Sequence, residues 1–310
     1  MPRCLFLVPL LLWAAQPVAA ASGHAGEFLA LGAGARALAL GSAYVALAED
    51  ATAAYWNPAG LARVQGRQVH LMHAERFAGL VDHEYLGLAR QGRRLHGLAL
   101  GLVRVGVGDI QLTELEDPGS PLGPDNRPVV AATTSSADYA LYLAAGQRLG
   151  RRLYAGATLK GIYRTVASHT AYGAGLDLGV RYGLHPTVSL ALVLRDVTGT
   201  PVAWDTQTTD WIRPSLLLGA AYSVDLGGGQ ATALLASRNG GDAGEGGDAR
   251  PLNAGVEYSR RYVAVRGGWE EGRPAFGLGL QPRGGLELDV AYMQHDDLES
   301  TYQLSAGYRF

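Results

Sequence analysis

The chain contains a single cysteine, Cys4, in 310 residues. One thiol can build neither a disulfide framework nor a Cys-ligated metal site. Its place ahead of the first apolar stretch, rather than at the end of it, is also wrong for a lipoprotein anchor. Long apolar runs are missing beyond the N-terminus. Although 48% of the residues are hydrophobic, no later stretch approaches the roughly 20 consecutive apolar residues of a spanning helix. Charge is sparse, at 17% of residues, and no basic run exceeds Arg93-Arg94 or Arg260-Arg261. The chain therefore lacks the electrostatic footprint of a nucleic-acid binder. Catalytic signatures are absent too, with no nucleophile elbow and no HExxH. His70 and His73 would face opposite sides of a strand and cannot chelate together. The expectation is a protein that is not an enzyme and has no cofactor or metal.

What is present begins with Met1 to Ala21. Arg3, the apolar stretch Leu5 to Ala15 and the small residues Val18-Ala19-Ala20-Ala21 have the layout of a cleaved secretory signal. Pro9, Gln16 and Pro17 interrupt it as a spanning helix. From Gln68 onward the sequence breaks into segments of about ten residues that alternate apolar and polar, separated by Gly, Pro, Asp and Asn. In the last, Tyr302, Leu304, Ala306, Tyr308 and Phe310 share one face, and Gln303, Ser305, Gly307 and Arg309 the other. Leu286, Leu288, Val290 and Tyr292 stand likewise against Glu287 and Asp289, and Leu176, Leu178, Val180 and Tyr182 against Asp177 and Arg181.

This pattern yields fourteen strands, starting near Gln68, Asp82, Arg94, Ala137, Arg152, Thr170, Thr187, Arg213, Gln230, Pro251, Arg261, Arg273, Gly285 and Glu299. Outer-membrane barrels have even strand numbers, short turns at the end carrying the termini and longer loops at the other. The even connections, such as Leu149-Gly150-Arg151 and His185-Pro186, are tight. The long ones, Gly106 to Ser136, Val197 to Ile212, Asn239 to Arg250 and His295 to Leu298, all fall in the odd set. The expected fold is an all-β transmembrane antiparallel barrel of about 14 strands with an N-terminal hatch segment inside the lumen. Fifteen tyrosines against five phenylalanines fit rings seated at two membrane interfaces. In Leu95 to Val105 both faces are apolar, as expected where a strand meets lipid outside and a plug inside. Abundant glycine permits the close backbone approach that a filled lumen needs.

The chain accordingly divides into a signal (1–21), a hatch (22–66) and a barrel (67–310). The stretch from Gly32 to Ala62 is dense in small residues and lacks strand alternation. Its Asn57-Pro58-Ala59-Gly60 reads as a turn in which Asn caps its own backbone and Pro fixes φ. Arg36, Asp50, Asn57, Pro58 and Gly60 are the hatch and gating candidates, with Arg36 and Asp50 expected to pair with charges on the wall. Lys160, Arg164, Asp177, Arg181, Glu287 and Asp289 are the lumen-facing candidates, with Arg195, Glu257 and Arg309 beside them. Gly32-Ala33-Gly34-Ala35-Arg36-Ala37 also fits a dinucleotide fingerprint, but no βαβ unit follows it. Gly240 to Asp248 has the look of a calcium loop, and Asp296, Asp297 and Glu299 of a divalent-ion site. A lone acidic loop reads more simply as solvent-exposed connection.

The segment closely resembles the PorV/PorQ group of outer-membrane proteins, itself related to the FadL long-chain fatty acid transporters. The resemblance is carried by Gly34-Ala35-Arg36-Ala37, Gly41-Ser42-Ala43-Tyr44-Val45-Ala46, Glu49-Asp50-Ala51 and Asn57-Pro58-Ala59-Gly60-Leu61. It implies a fourteen-stranded barrel with an N-terminal hatch in the bacterial outer membrane, surrounded by outer-membrane lipid. The terminal Phe310, after Tyr308, looks like the signal read by the barrel-insertion machinery. Two functions follow from the resemblance: passage or loading of hydrophobic small molecules through a kinked barrel wall, or an accessory role in protein secretion or surface assembly with a secretion-system protein as partner. In the second, the connections Gly106 to Ser136 and Val197 to Ile212 would touch that partner.

Overall fold

The computed structural model describes residues 25–92, 94–240, 252–294 and 300–310. The signal, the glycine-aspartate loop beyond Gly240, and Asp296, Asp297 and Glu299 lie outside them. Sixteen strand segments occur: β1 Arg67–Arg76, β2 Val81–Gln91, β3 Gly97–Leu115, β4 Pro128–Arg148, β5 Leu153–Val166, β6 His169–His185, β7 Val188–Arg195, β8 Thr200–Trp204, β9 Thr209–Ile212, β10 Ser215–Leu226, β11 Gly229–Gly240, β12 Leu252–Arg260, β13 Val263–Glu270, β14 Arg273–Leu280, β15 Leu286–Met293 and β16 Thr301–Arg309. From β1 to β7 and from β10 to β16 each pairs antiparallel with its sequence neighbour, β7 pairs with β10, and β1 closes on β16.

Strands β8 and β9 are prolongations rather than additions. β7 leaves its partner β6 after Leu194, and β8 rejoins the same edge of β6 at Ala171–Gly173. β10 pairs with β7 as far as Ser215 with Arg195, and β9 pairs with β8 from Thr200 with Ile212. Counted as continuous elements, the wall is a closed barrel of fourteen strands. Closure pairs both edges of every strand of the ring except at a short break between β7 and β8, and closure is the condition for a sheet to sit in a bilayer.

Alternation places one face of every strand outward. Leu71, Leu159, Leu192, Leu235, Val265 and Leu304 are among the large apolar side chains exposed there. Aromatic rings gather at two levels. Tyr182, Tyr222, Tyr308 and Phe310 lie toward the end bearing the short turns, and Tyr172, Phe276, Trp269 and Tyr302 toward the far end, all exposed. On β6 ten residues separate Tyr172 from Tyr182. At a tilt of about 40° and a rise of about 3.3 Å per residue this spans roughly 25 Å, the height of the apolar band of an outer-membrane barrel.

Two expectations about connections are corrected. Gly106 to Ser136 is not a long loop, because β3 runs on to Leu115 and β4 starts at Pro128, joined across Val107 to Leu115 with two register shifts, at Val107/Ile110 and Leu112/Thr113. Val197 to Ile212 likewise contains the β8–β9 hairpin. Both prolongations stand above the far-end ring of aromatics; the β3–β4 one is exposed on both faces, while the β8–β9 hairpin buries Thr200, Val202 and Ile212 on its inner face. Without a lipid face the sequence has no reason to alternate.

Residues ahead of β1 form short helical pieces: 3-10 turns at Glu27–Ala30 and Pro58–Arg63, α1 at Ala35–Ala39 and α2 at Ala53–Trp56. Nearly all their side chains are buried. Their neighbours are inward-facing residues of strands distributed around the wall, from Met72 on β1 through Tyr85, Tyr142 and Thr158 to Glu257 and Ser305.

Candidate functional site

The contact between this N-terminal segment and the wall is built from backbone as much as from side chains. Gly97, Gly146, Gly156 and Gly179 stand in register on four adjacent strands. A Cβ on Gly146 would meet the Pro58 carbonyl at 2.6 Å, one on Gly97 or Gly156 would overlap the backbone of Leu61 or Pro58, and one on Gly179 would overlap the Asn57 amide. The row is a trough that receives the turn Asn57-Pro58-Ala59-Gly60-Leu61. Gly255 and Gly268, paired on β12 and β13, receive Leu40 and Gly41 in the same way. The segment is thus seated at two separate places on the barrel wall.

Within the turn, the Asn57 side chain accepts from the Ala59 amide at 3.0 Å and donates to the Val45 carbonyl at 2.9 Å, while Pro58 opens the 3-10 turn. Gly60 packs directly under the Ala48 carbonyl, with no room for a Cβ. Arg36 reaches the wall: its Nε and Nη2 donate to the two carboxylate oxygens of Glu257 at 2.9 and 2.7 Å. Glu257 also accepts from Arg266 at 2.6 Å, and Arg266 donates to Asp289 at 2.7 Å, so a chain of four alternating charges joins α1 to β12, β13 and β15. Asp50 does not join it. It accepts instead from within the segment, from the Tyr44 hydroxyl at 2.8 Å and the Thr52 amide at 2.8 Å. Burial alone would raise the Asp50 carboxyl, but the facing His70, these donors and the charge of Arg36 together hold it below its ordinary value.

The lumen candidates fall into three groups. Arg181 donates to the Ala46 carbonyl at 2.9 Å and pairs with Glu49 at 2.7 Å, and Glu49 also takes Arg63 at 2.7 Å. With Glu287, which accepts from Arg309 at 3.1 Å, they line a 550 Å³ vestibule at the short-turn end. Arg164 pairs bidentately with Asp138 and donates to the Ala25 carbonyl. Lys160 is buried against Asp196 at 2.7 Å and Asp177 at 3.4 Å. Asp138 and Asp196 were not expected from the sequence. Arg195 faces the lumen, so period two would send Asp196 outward. The left-handed φ of 51° at Asp196 breaks that parity and turns its carboxylate inward.

The break has a further consequence. Between Arg195 paired with Ser215 and Thr200 paired with Ile212, residues 196–199 face 213–214 with no ladder pairing. Asp196, Ile212, Arg213 and Ser215 at this gap line a 380 Å³ chamber on the far side of the segment. Its walls are largely charged, with Lys160, Asp177, Arg195, Arg238, Glu271 and Arg273, and its aromatic part is Tyr55 and Tyr142, packed edge-on at 5.8 Å between centroids with Arg195 over the Tyr55 ring at 4.8 Å. A second cavity of 220 Å³ continues past Tyr55 to Leu31, Leu38, Leu217 and Met293.

A closed antiparallel barrel of fourteen strands, apolar outside and polar within, is a transmembrane β-barrel of the outer-membrane type. Its fold is similar to that of the monoaromatic hydrocarbon channel CymD (TM-score 0.59, 13% identity, over 90% of this chain and 98% of that one). It is similar also to the toluene transporter TbuX of Ralstonia pickettii (TM-score 0.56, 12% identity, 90% and 98%) and to a FadL homologue of Pseudomonas aeruginosa (TM-score 0.52, 12% identity, 87% and 96%). At the level of fold the FadL-related part of the resemblance holds. No family model and no curated protein sequence matches the chain.

Proposed function

We propose that this chain, after removal of residues 1–21, is a bacterial outer-membrane barrel that passes or loads hydrophobic small molecules and performs no catalysis. Residues 25–66 act as the hatch that closes the straight route through the lumen. The observation that carries the reading is the interruption of the strand ladder between the Arg195–Ser215 and Thr200–Ile212 pairs, beside the chamber that Tyr55 and Tyr142 line. A small apolar ligand needs an enclosed space with edge and face contacts and an exit that avoids water. The chamber offers the first and the gap in the ladder the second. Support comes also from the neighbours named above, described as a hydrocarbon channel and a toluene transporter. A role in protein secretion rests on the N-terminal motif, and the two long connections invoked for it are largely strand.

The test uses uptake of radiolabelled toluene by cells producing the full chain. Cysteines placed at Val197 and Pro214, bridged by a short bifunctional thiol reagent, are expected to reduce uptake to the level of cells lacking the protein. Uptake that never exceeds that of those cells overturns the conduit. Uptake that survives the bridge overturns the lateral route.

A further inference from the structure

A groove of 700 Å³ lies not in the lumen but on the outer face of the wall. Its floor is Ala145 and Ala157, paired across β4 and β5, and the leucines Leu98, Leu100, Leu143 and Leu159 rise around them. Two alanines set among leucines make a depression in an otherwise even apolar band. At its short-turn edge stand Arg67 and Arg90, cross-strand partners on β1 and β2. Both are exposed, and neither guanidinium has a carboxylate partner among the described residues. The Arg67 amide donates to the Phe310 carbonyl, so both arginines sit at the level of the lower aromatic ring, where a bilayer's apolar core gives way to head groups.

We infer that this groove is a binding site for an anionic diacyl phospholipid, with acyl chain on the alanine floor and phosphate between Arg67 and Arg90. An outward arginine at the interface ordinarily meets an acidic neighbour or water. Two in register with no acidic side chain paired to either among the described residues, above an apolar hollow, match a ligand that is anionic at one end and aliphatic for the rest of its length. The guanidinium fork suits a phosphate diester bidentately. The site lies on the lipid side of the wall, separate from the chamber, and the inference rests only on the membrane placement of the barrel.

Native mass spectrometry of the detergent-extracted full chain tests it, with phosphatidylglycerol and phosphatidylcholine of identical chains added in turn. One retained phosphatidylglycerol per barrel is expected, with phosphatidylcholine released. Arg67→Gln with Arg90→Gln should weaken phosphatidylglycerol retention about 20- to 30-fold, from the usual worth of two basic side chains at a lipid surface. Ala157→Phe, which fills the floor without altering charge, should weaken it as well. Heat-dependent gel mobility, measured on every variant, shows the barrel folded independently of the lipid result. Equal retention of the two lipids, or folded variants that hold phosphatidylglycerol as the native chain does, overturns the site.

Discussion

The glycines on the inner wall show how much one hydrogen atom in place of a methyl group decides here. In a strand interior glycine ordinarily costs stability against alanine, roughly 0.5–1 kcal/mol, because it loses more backbone freedom on folding. Gly161, on the outer face of β5 with open space around its missing Cβ, should follow that rule. Gly156, five residues earlier on the same strand, should reverse it, since a Cβ there collides with the backbone of Pro58, a residue that Gly146 and Gly179 also hold. We therefore expect Gly161→Ala to be neutral or slightly stabilising and Gly156→Ala to destabilise by about 1–3 kcal/mol. Urea midpoints of the two variants in lipid vesicles give the comparison, and equal shifts would mean that the segment is not seated on the trough. The abundance of glycine was visible in the sequence, together with its physical meaning of close approach. The row was not, because Gly97, Gly146, Gly156 and Gly179 come into line only once four strand registers are fixed.

Among the elements, the strands were legible wherever a lipid face imposed alternation. The starts expected near Gln68, Asp82, Arg152, Thr170, Thr187 and Arg273 lie within one residue of the observed ones. The misreading of β3 and β4 arose where both faces are wet, at Gln111 to Leu115 and Pro128 to Ser136. The break between β7 and β8 was hidden for a different reason: a three-residue excess in one strand leaves composition unchanged and shifts only parity. The buried Lys160 holds that excess in place. Its ammonium lies between Asp177 and Asp196, and Asp177 also accepts the Asp196 amide at 2.8 Å, so one cation pins the end of β7 across the inner face of β6. Replacing Lys160 with Met leaves two buried carboxylates facing each other, at a cost of about 3–5 kcal/mol. Adding Asp177→Asn and Asp196→Asn to Lys160→Met should recover much of this by removing the stranded charges. The urea midpoints of the single and triple variants decide it, and a Lys160→Met barrel as stable as the native one would remove the latch.

At the scale of the whole molecule the wall and the N-terminal segment behave as one packed body, because each is unsatisfied without the other. The sequence disclosed half of this arrangement. A run of small residues ahead of the first strand pointed to something compact, and Arg36 and Asp50 stood out as its charged members, though only Arg36 reaches a wall carboxylate. The partner, Glu257, lies 221 residues away and is one of several inward carboxylates that sequence alone cannot rank. With the segment in place, Glu257 and Arg266 are buried in a continuous charge chain, and the cavities of 550 and 380 Å³ lie on opposite sides of the packed residues. If the segment is the hatch we propose, its removal should join those two spaces into a water-filled pore lined by Arg181, Glu257, Arg266 and Asp289. In planar bilayers the intact chain is expected to carry no steady ionic current. A chain lacking residues 25–64, with the signal and β1 retained, should conduct and should sensitise cells to antibiotics too large for the intact barrel. Arg36→Ala should lie between them, giving brief openings as the segment loses its one bidentate tie to the wall while both glycine troughs still hold it. A truncated barrel that folds, as judged by heat-dependent mobility, and yet stays closed would assign the seal to the wall itself and leave the segment a structural support.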